Sequence, residues 1–430
     1  MRSLIALTLI SALGAVAAPS KSKATVCTVE ASHSAADDTP ALLKVLNTTE
    51  CLTDATILFK QGATYNIYKP VAFPALKNVV VSIQGNINLP SNVTLVQSIV
   101  SNSKIYPGYW FTFKSGSGIT IEGNSKNKNQ GWIDSHGQQW WDANNQVNRP
   151  HLMSISASNV VVSYLKIKKP VGWVFKAAGS NMNFNHITID AKSDSSAFPF
   201  NTDGFDVGGV NVTLTDNYVV NGDDCITINN GAKNVYAADN YCEGGHGASL
   251  GSFGSGGSVA AASNITFTRF TMVDSLYGGR FKSWSGGNGL VSDVHYSDFT
   301  LRNVSFPIFI TQNYYDQSVG KPANAGTNNT NIANFSYRNF AGTIDSRKPG
   351  DGSCVTNPCW YAVNGTDGTQ AIIFDFAKGT DLSATNIVTS NINIRPDDGR
   401  QATVICDPEA LQETDKQVGF VCHDGLYIRA

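Results

Sequence analysis

Short β-rich runs that each begin with an asparagine recur along residues 159–311, and this repeat constrains the fold more than any other feature. The runs begin at Asn159, Asn183, Asn211, Asn234 and Asn264, which are 24, 28, 23 and 30 residues apart. They are rich in β-branched residues and have no helical periodicity. A period of this length indicates a solenoid whose coils each hold a few short parallel strands. Because crossovers between parallel strands are almost always right-handed, the sequence predicts an all-β chain folded as a right-handed parallel β-helix.

The composition agrees with an architecture of short strands and tight turns. The 430 residues include 39 glycines, and only 15% of them are charged. A propeller would have regular repeats of about 40 residues, and a β-sandwich would favour antiparallel hairpins with cleanly alternating strands; neither pattern is evident. The net charge of −2 offers no basic stripe for a nucleic acid, so we expect no nucleic-acid partner.

The first residues are typical of a secretory signal peptide. Arg2 supplies a positive charge, and residues 4–18 form an apolar run that ends in small side chains. We therefore expect residues 1–18 to be a signal peptide and the protein to be secreted and extracellular. A membrane anchor is the alternative, but the run is short for a bilayer, and we expect no membrane association. Residues 19–430 contain no convincing linker, so they predict one parallel β-helix catalytic domain, expected to be a monomer.

A solenoid needs its two ends covered. Residues 37–46 begin with polar capping residues and continue as an amphipathic pattern, which predicts a short helix over the N-terminal end. The segment between Cys406 and Cys422 is expected to close the C-terminal end. Residues 313–349 are rich in Asn, Gly and Ser, and they predict a long loop over the groove before the last coils.

Eight cysteines, in a chain expected to be secreted, predict disulfide bonds rather than a metal site. Their order suggests that each bond closes a local loop. The predicted pairs are Cys27–Cys51, Cys225–Cys242, Cys354–Cys359 and Cys406–Cys422. Eight N-x-S/T sequons also fit a secreted glycoprotein. The candidate glycosylation sites are Asn47, Asn92, Asn211, Asn264, Asn303, Asn328, Asn334 and Asn364.

Acidic and histidine motifs follow one another at intervals of about one coil. The pair Asp223-Asp224 begins 20 residues after Asp203, and His246 follows Asp223 by 23 residues. Stacked coils would therefore bring these side chains to one face. Cleavage of a glycosidic bond needs one carboxyl that donates a proton and one carboxylate that activates water. Each motif alone is more typical of a turn, but three in succession predict a site for acid–base glycoside cleavage.

Cationic and aromatic residues follow the acidic motifs. Arg280 and Lys282 alternate, so they project from the same face of a strand and could hold the carboxylate of an acidic sugar. The alternative is an ordinary solvated strand face. Tyr314 is a candidate for contact with a sugar ring. Further candidate sugar platforms, although large aromatic side chains more often pack than bind, are Trp140, Trp141 and Trp284.

In their order these motifs resemble those of the polygalacturonase family, glycoside hydrolase family 28. The motifs are Asn201-Thr202-Asp203, Gly222-Asp223-Asp224, Gly244-Gly245-His246-Gly247 and Arg280-Phe281-Lys282. The resemblance extends over about residues 131–314 and more loosely beyond them. It implies hydrolysis of α-1,4-galacturonosyl linkages in pectin by an inverting mechanism, without a metal or a cofactor.

The resemblance also implies a role for individual residues. Asp223 would be the general acid, Asp203 and Asp224 would hold and activate the water, and His246 would support the acid. Asn201 would line the cleft. The sugar on the leaving-group side would be bound by Arg280, Lys282 and Tyr314. The predicted Cys225–Cys242 bond is similar to one that is common in this family.

One departure from the family pattern concerns the mode of action. Phe281 stands where many endo-acting members have Ile, and Ser283-Trp284 follows. This run is more similar to fungal exo-type or xylogalacturonan-acting members, which implies exo action. An endo-acting polygalacturonase and a xylogalacturonan hydrolase stay open as alternatives. A calcium-dependent pectate lyase or a non-catalytic pectin-binding solenoid would also be compatible with a β-helix.

Overall fold

The protein is described from a computed structural model, which covers residues 25–316, 329–346, 351–354, 356, 359–377, 384–411 and 413–430. The predicted signal peptide, residues 1–18, and the sequon at Asn328 lie outside the described residues. Within this part of the chain no helix is both long enough and apolar enough to cross a membrane.

The strands stack in three columns, and each complete coil contributes one strand to each column. The first column consists of β1 (Thr25–Thr28), β2 (Ala55–Phe59), β5 (Leu76–Ile83), β8 (Gly116–Gly123), β11 (Ser158–Ser163), β14 (Ser180–Asn185), β17 (Val210–Thr215), β20 (Lys233–Ala238), β23 (Val259–Val273), β25 (Asn288–Arg302), β27 (Asn331–Ile344) and β29 (Ala384–Pro396). The second column consists of β3 (Thr64–Asn66), β6 (Asn86–Asn88), β9 (Trp132–Asp134), β12 (Lys166–Lys168), β15 (Thr188–Asp190), β18 (Tyr218–Val220) and β21 (Tyr241–Glu243). From β23 onward the first two columns merge, because each long strand spans both.

The third column forms a separate sheet. It consists of β4 (Val71–Phe73), β7 (Phe111–Phe113), β10 (Met153–Ile155), β13 (Phe175–Ala177), β16 (Phe205–Val207), β19 (Ile226–Ile228), β22 (Ala248–Phe253), β24 (Tyr277–Trp284), β26 (Phe306–Tyr314), β28 (Gln370–Asp375), β30 (Thr403–Cys406) and β31 (Gly425–Leu426). Neighbouring strands pair in parallel along this column until β31, which pairs antiparallel with β30. The prediction of a right-handed parallel β-helix is confirmed.

Asparagines in the left-handed conformation turn the chain at the start of the first column. Asn159, Asn181, Asn211, Asn234 and Asn264 have φ angles between 52° and 57°, which asparagine tolerates better than most residues. Their side chains form a ladder, in which each Nδ2 donates to the Oδ1 of the preceding coil at 2.8–3.0 Å. The repeat was therefore predicted correctly, but one of the five asparagines was assigned wrongly. Asn181 and not Asn183 is in register, because Ser180 pairs with Ser158 and Val210.

Stacked aromatic rings fill the wider coils near the C-terminal end. Phe270, Phe299 and Phe340 stack with ring centroids 5.1 and 4.5 Å apart. One hydrophobic core continues from Val29 to Cys422, which agrees with a single solenoid.

Helices lie at the ends and in the loops of the solenoid: α1 (Thr39–Leu46), α2 (Val93–Val100), α3 (Gln138–Asp142) and α4 (Asp415–Val418). Short 3₁₀ turns occupy Thr49–Cys51, Ser255–Gly257 and Pro408–Ala410. The α1 helix buries Leu42, Val45 and Leu46, which confirms the predicted N-terminal helix. The prediction of one long loop over residues 313–349 was wrong, because β27 adds a coil within that range and pairs with β25 and β29.

All four predicted disulfides are present: Cys27–Cys51, Cys225–Cys242, Cys354–Cys359 and Cys406–Cys422. The last one joins β30 to the segment after α4, at the C-terminal end of the stack. Six of the seven described sequon asparagines are exposed, and Asn303 is half-buried. Glycosylation of these sites stays a prediction.

Candidate active site

The predicted site residues lie on consecutive coils at the outer side of the third column. Asp203, Asp224 and His246 each come two residues before a strand, namely β16, β19 and β22. Arg280 and Lys282 lie within β24, and Tyr314 ends β26. Because these strands pair in parallel register, the side chains gather around one cavity of about 340 Å³. The predicted residues that line it are Asn201, Asp223, His246, Arg280, Lys282 and Tyr314.

Glycines allow the turns that carry these residues to approach each other closely. A Cβ at Gly245 would lie 2.5 Å from the carbonyl oxygen of Asp223, so a larger residue would push His246 away from Asp223. At Gly247 φ is +85°, and a Cβ there would lie 2.5 Å from the Gly278 carbonyl oxygen. The backbone N–H of His246 donates to the Asp223 carbonyl at 2.8 Å. The Gly-Gly-His-Gly motif is thus needed for the close contact between coils.

Asp224 is buried and holds both cations of β24. Its Oδ1 accepts from Nη2 of Arg280 at 2.5 Å and from the Ser249 hydroxyl at 2.7 Å. Its Oδ2 accepts from Nζ of Lys282 at 2.8 Å. Among the described residues Nη1 of Arg280 has no hydrogen-bond partner. Arg280 and Lys282 therefore neutralise a protein carboxylate, and the unpaired guanidinium nitrogen is itself buried.

Asp223 lies in the middle of a chain of hydrogen bonds that crosses the site. Nη2 of Arg149 donates to Oδ1 of Asn201 at 2.6 Å, and Nδ2 of Asn201 donates to Oδ2 of Asp223 at 3.1 Å. Oδ1 of Asp223 lies 3.2 Å from Nδ1 of His246, whose Nε2 lies 2.8 Å from Oδ2 of Asp351. Burial lowers the pKa of His246, but Asp223 and Asp351 outweigh it and raise the pKa to about 9. We conclude that the imidazole is positively charged at neutral pH.

The pKa values of Asp203 and Asp223 are shifted in opposite directions. Burial raises the pKa of Asp203 well above its usual range, and the charges of Asp223 and Asp206 raise it further. Burial also acts to raise the pKa of Asp223, but His246 and the two β24 cations outweigh it and lower this pKa. Without substrate, the pKa of Asp203 therefore lies above that of Asp223. A general acid at Asp223 needs the opposite order of pKa values.

A cation would fit this site poorly. Asp223, Asp224 and His246 present ligand atoms within 4.8 Å of one another, which could hold a metal ion geometrically. However, both oxygens of Asp224 already accept from Arg280 and Lys282. These two positive charges would repel a metal ion, and calcium prefers several free oxygen ligands.

Sequence reasoning missed several residues of the site. Arg149 and Asp351 belong to loops of other coils, and no short motif identifies them. Asp206, whose pKa burial raises to about 7, lies within β16 between Phe205 and Val207, and a carboxyl between two apolar strand residues could have pointed to it. Trp360 also lines the cavity, with its ring centroid 5.4 Å from that of His246.

The predicted tryptophan platforms have other environments. Trp140 and Trp141 are only 2% and 4% exposed, so they pack in the core instead of facing a sugar. Trp284 contacts Tyr314 edge-on, with ring centroids 5.4 Å apart.

Comparisons with known proteins agree with this geometry. Residues 67–359 match Glycosyl hydrolases family 28. The chain is 38% identical over 431 residues to a protein named "Probable exopolygalacturonase C" from Aspergillus fumigatus, with 97% of this chain and 96% of the relative covered. A protein of the same name from Aspergillus niger is 41% identical over 411 residues, with 93% and 90% covered.

Two solved structures are similar in fold. The endo-xylogalacturonan hydrolase of Aspergillus tubingensis is 23% identical, has a TM-score of 0.72, and is matched over 94% of this chain and 100% of its own. Endopolygalacturonase I of Stereum purpureum is 19% identical, has a TM-score of 0.62, and is matched over 90% and 98%. From the family match and the two Aspergillus relatives, this chain belongs to family 28 of the glycosyl hydrolases.

Proposed function

We propose that the protein is an exo-acting galacturonidase that hydrolyses α-1,4-galacturonosyl linkages at the ends of pectin chains. The observation on which this proposal rests is the cavity where carboxylates, an imidazolium and two cations meet. Its volume of about 340 Å³ lies within the range of ligand pockets. The names of the two Aspergillus relatives support the same mode of action.

In this mechanism Asp223 is the general acid, and Asp203 and Asp224 hold the water. The water oxygen attacks the anomeric carbon from the face opposite the leaving oxygen. The bond between the anomeric carbon and the leaving oxygen breaks as Asp223 transfers its proton to that oxygen. A water proton passes to the pair of aspartates, of which Asp203 must be ionised in the complex to accept it. The product has inverted configuration because the water attacks the face opposite the leaving oxygen. Neither a metal nor a cofactor takes part in these steps.

Asp223 must gain a proton before it can act as the acid, and substrate binding provides a reason. The carboxylate of the sugar on the leaving-group side would be bound by Arg280, Lys282 and Tyr314, which line the cavity. That negative charge offsets two of the positive charges that keep the pKa of Asp223 low. The pKa of Asp223 therefore rises in the complex. Asn201 lines the cavity and His246 supports the acid.

The remaining features of the protein fit an extracellular enzyme. The four disulfides suit an oxidising compartment. Residues 1–18 would be the signal peptide, and residues 19–430 would form one catalytic domain that acts as a monomer. Homogalacturonan is the proposed substrate. Xylogalacturonan is the second candidate, since Phe281 and the following Ser283-Trp284 are similar to those of xylogalacturonan-acting members.

Product analysis tests the proposal. The secreted protein is incubated with polygalacturonic acid in the presence of EDTA, and the products are separated by chromatography at early times. We expect galacturonate monomer from the first time point. A ladder of oligomers would mean endo action, and products from xylosylated pectin alone would mean a xylogalacturonan hydrolase. Unsaturated products that require calcium would contradict the hydrolase assignment.

A further inference from the structure

His246 has a carboxylate on each ring nitrogen, and only one of the two was evident in the sequence. Nδ1 lies 3.2 Å from Asp223 and Nε2 lies 2.8 Å from Asp351. The side chains of His246 and Asp351 are only 5% and 10% exposed. A neutral imidazole has one N–H and could donate to one carboxylate only. Both contacts are hydrogen bonds only when the ring is an imidazolium.

The segment around Asp351 is built to hold its carboxylate against His246. The backbone N–H of Ser353 donates to Oδ1 of Asp351 at 2.9 Å, which leaves Oδ2 directed at Nε2. The Cys354–Cys359 disulfide follows immediately, and Trp360 packs beside the imidazole with ring centroids 5.4 Å apart. The contact joins residues 105 positions apart, so it depends on where the tertiary structure places residues 351–354.

We propose that Asp351 is a positioning residue, which holds His246 as an imidazolium with Nδ1–H directed at Asp223. This role rests on the proposed function, in which Asp223 is the general acid. Without Asp351, the imidazole ring could rotate, and its Nδ1–H would no longer be fixed on Asp223. Asp351 would thus act through His246 and would not contact the substrate.

Other charged and titratable groups surround the imidazole, and they limit what Asp351 alone can change. Asp203 and Asp224 are buried, and Arg280, which pairs with Asp224, stacks on the Tyr277 ring at 4.2 Å. The Tyr277 ring centroid lies 6.2 Å from that of His246. Lys282 lines the same cavity. The cations oppose a charged imidazole, so the two carboxylates in direct contact must supply its stabilisation.

The test is Asp351→Asn, which keeps the acceptor for Ser353 but removes the charge. Histidine NMR titration of the full chain, with the His246 signal assigned by His246→Asn, gives the pKa directly. We expect a wild-type pKa above 8, a fall of at least one pH unit in D351N, and no change in the control Asp274→Asn. Asp274 and Asp351 line a second cavity, which His246 does not line, and Asp274 accepts from Asn303 at 3.1 Å.

The kinetic arm separates positioning from a structural role. On polygalacturonic acid, kcat of D351N should fall about 10- to 100-fold, as expected for a misplaced catalytic group, while KM changes less than about threefold. An unchanged His246 pKa, or an unchanged kcat after the pKa has fallen, would overturn the proposal. If D351N does not fold, a wild-type His246 pKa near 6.5 would overturn it equally. The titration needs no substrate, so an enzyme without galacturonidase activity would refute the proposed function and leave this test intact.

Discussion

Asp223→Asn is the most direct test of the mechanism, because it removes one proton donor and keeps the size of the side chain. Oδ1 of Asp223 accepts from the Asp224 backbone N–H at 2.8 Å and lies 3.2 Å from Nδ1 of His246. An asparagine oxygen can replace that acceptor. Its Nδ2 would then face Nδ2 of Asn201, which donates to Oδ2 of Asp223 at 3.1 Å in the wild type. Two N–H donors would then face each other without an acceptor.

The size of the effect follows from these contacts. General acid catalysis contributes about 10²- to 10⁴-fold to the rate, which corresponds to about 3–5 kcal/mol of activation free energy. The clash between two donors costs about 1–3 kcal/mol of folding stability. Rotation of the Asn201 amide would not relieve it, because its oxygen accepts from Arg149 at 2.6 Å. We therefore expect a large loss of kcat with a modest loss of stability.

The assay measures turnover and binding separately. Reducing-sugar release on polygalacturonic acid gives kcat, and isothermal titration calorimetry with trigalacturonate gives Kd. In D223N we expect kcat to fall by about 10²- to 10⁴-fold, while Kd changes less than about threefold. Asp239→Asn is the matched control, because Asp239 is an exposed carboxylate that pairs with Arg269 away from the cavity. Turnover of D223N within tenfold of the wild type would refute the assignment of Asp223 as the acid.

Three further predictions concern stability and positioning. The pKa of His246, lowered by burial but raised overall by its carboxylate partners to about 9, lies above the usual value of about 6.5; its stabilising contribution is therefore complete below pH 6.5 and is lost as the pH rises through 9. Urea midpoints should fall more between pH 6 and 9.5 in the wild type than in His246→Asn, and parallel curves would contradict the raised pKa. Phe299→Ala removes a ring stacked between two others at 5.1 and 4.5 Å and should cost about 3–5 kcal/mol of unfolding free energy, measured by urea denaturation; a loss under 1 kcal/mol would mean that the stack is not packed as described. Arg149→Met releases the Asn201 amide and should lower kcat about 10- to 100-fold, with the fold retained by circular dichroism; wild-type kcat would show that the orientation of Asn201 does not matter.

The structure also explains why family 28 motifs are spread over separate coils. Equivalent residues of successive coils lie above one another along the solenoid axis, at the same position around the coil. Asp203, Asp224 and His246 therefore approach each other although about 20 residues separate each from the next. The glycines beside His246 matter because backbone from adjacent coils comes within the space of a Cβ.

The sequence alone determined the features that depend on local pattern. The asparagine repeat and its spacing predicted the β-helix, because each left-handed corner and each strand is specified within one coil. The disulfides close short loops of 5–24 residues, so their pairing followed from the order of the cysteines. Six of the predicted site residues line one cavity, because a fixed coil length converts sequence spacing into spatial proximity.

Only the tertiary structure decided what depends on register and on the paths of loops. Asn181, and not Asn183, belongs to the ladder. A shift of two residues leaves the alternation of the strand unchanged, so the sequence pattern did not reveal which asparagine forms the corner. Asp351 and Arg149 reach the site from loops whose course no periodicity specifies. The opposite pKa shifts of Asp203 and Asp223 were equally inaccessible to sequence reasoning, because they depend on burial and on the sum of neighbouring charges.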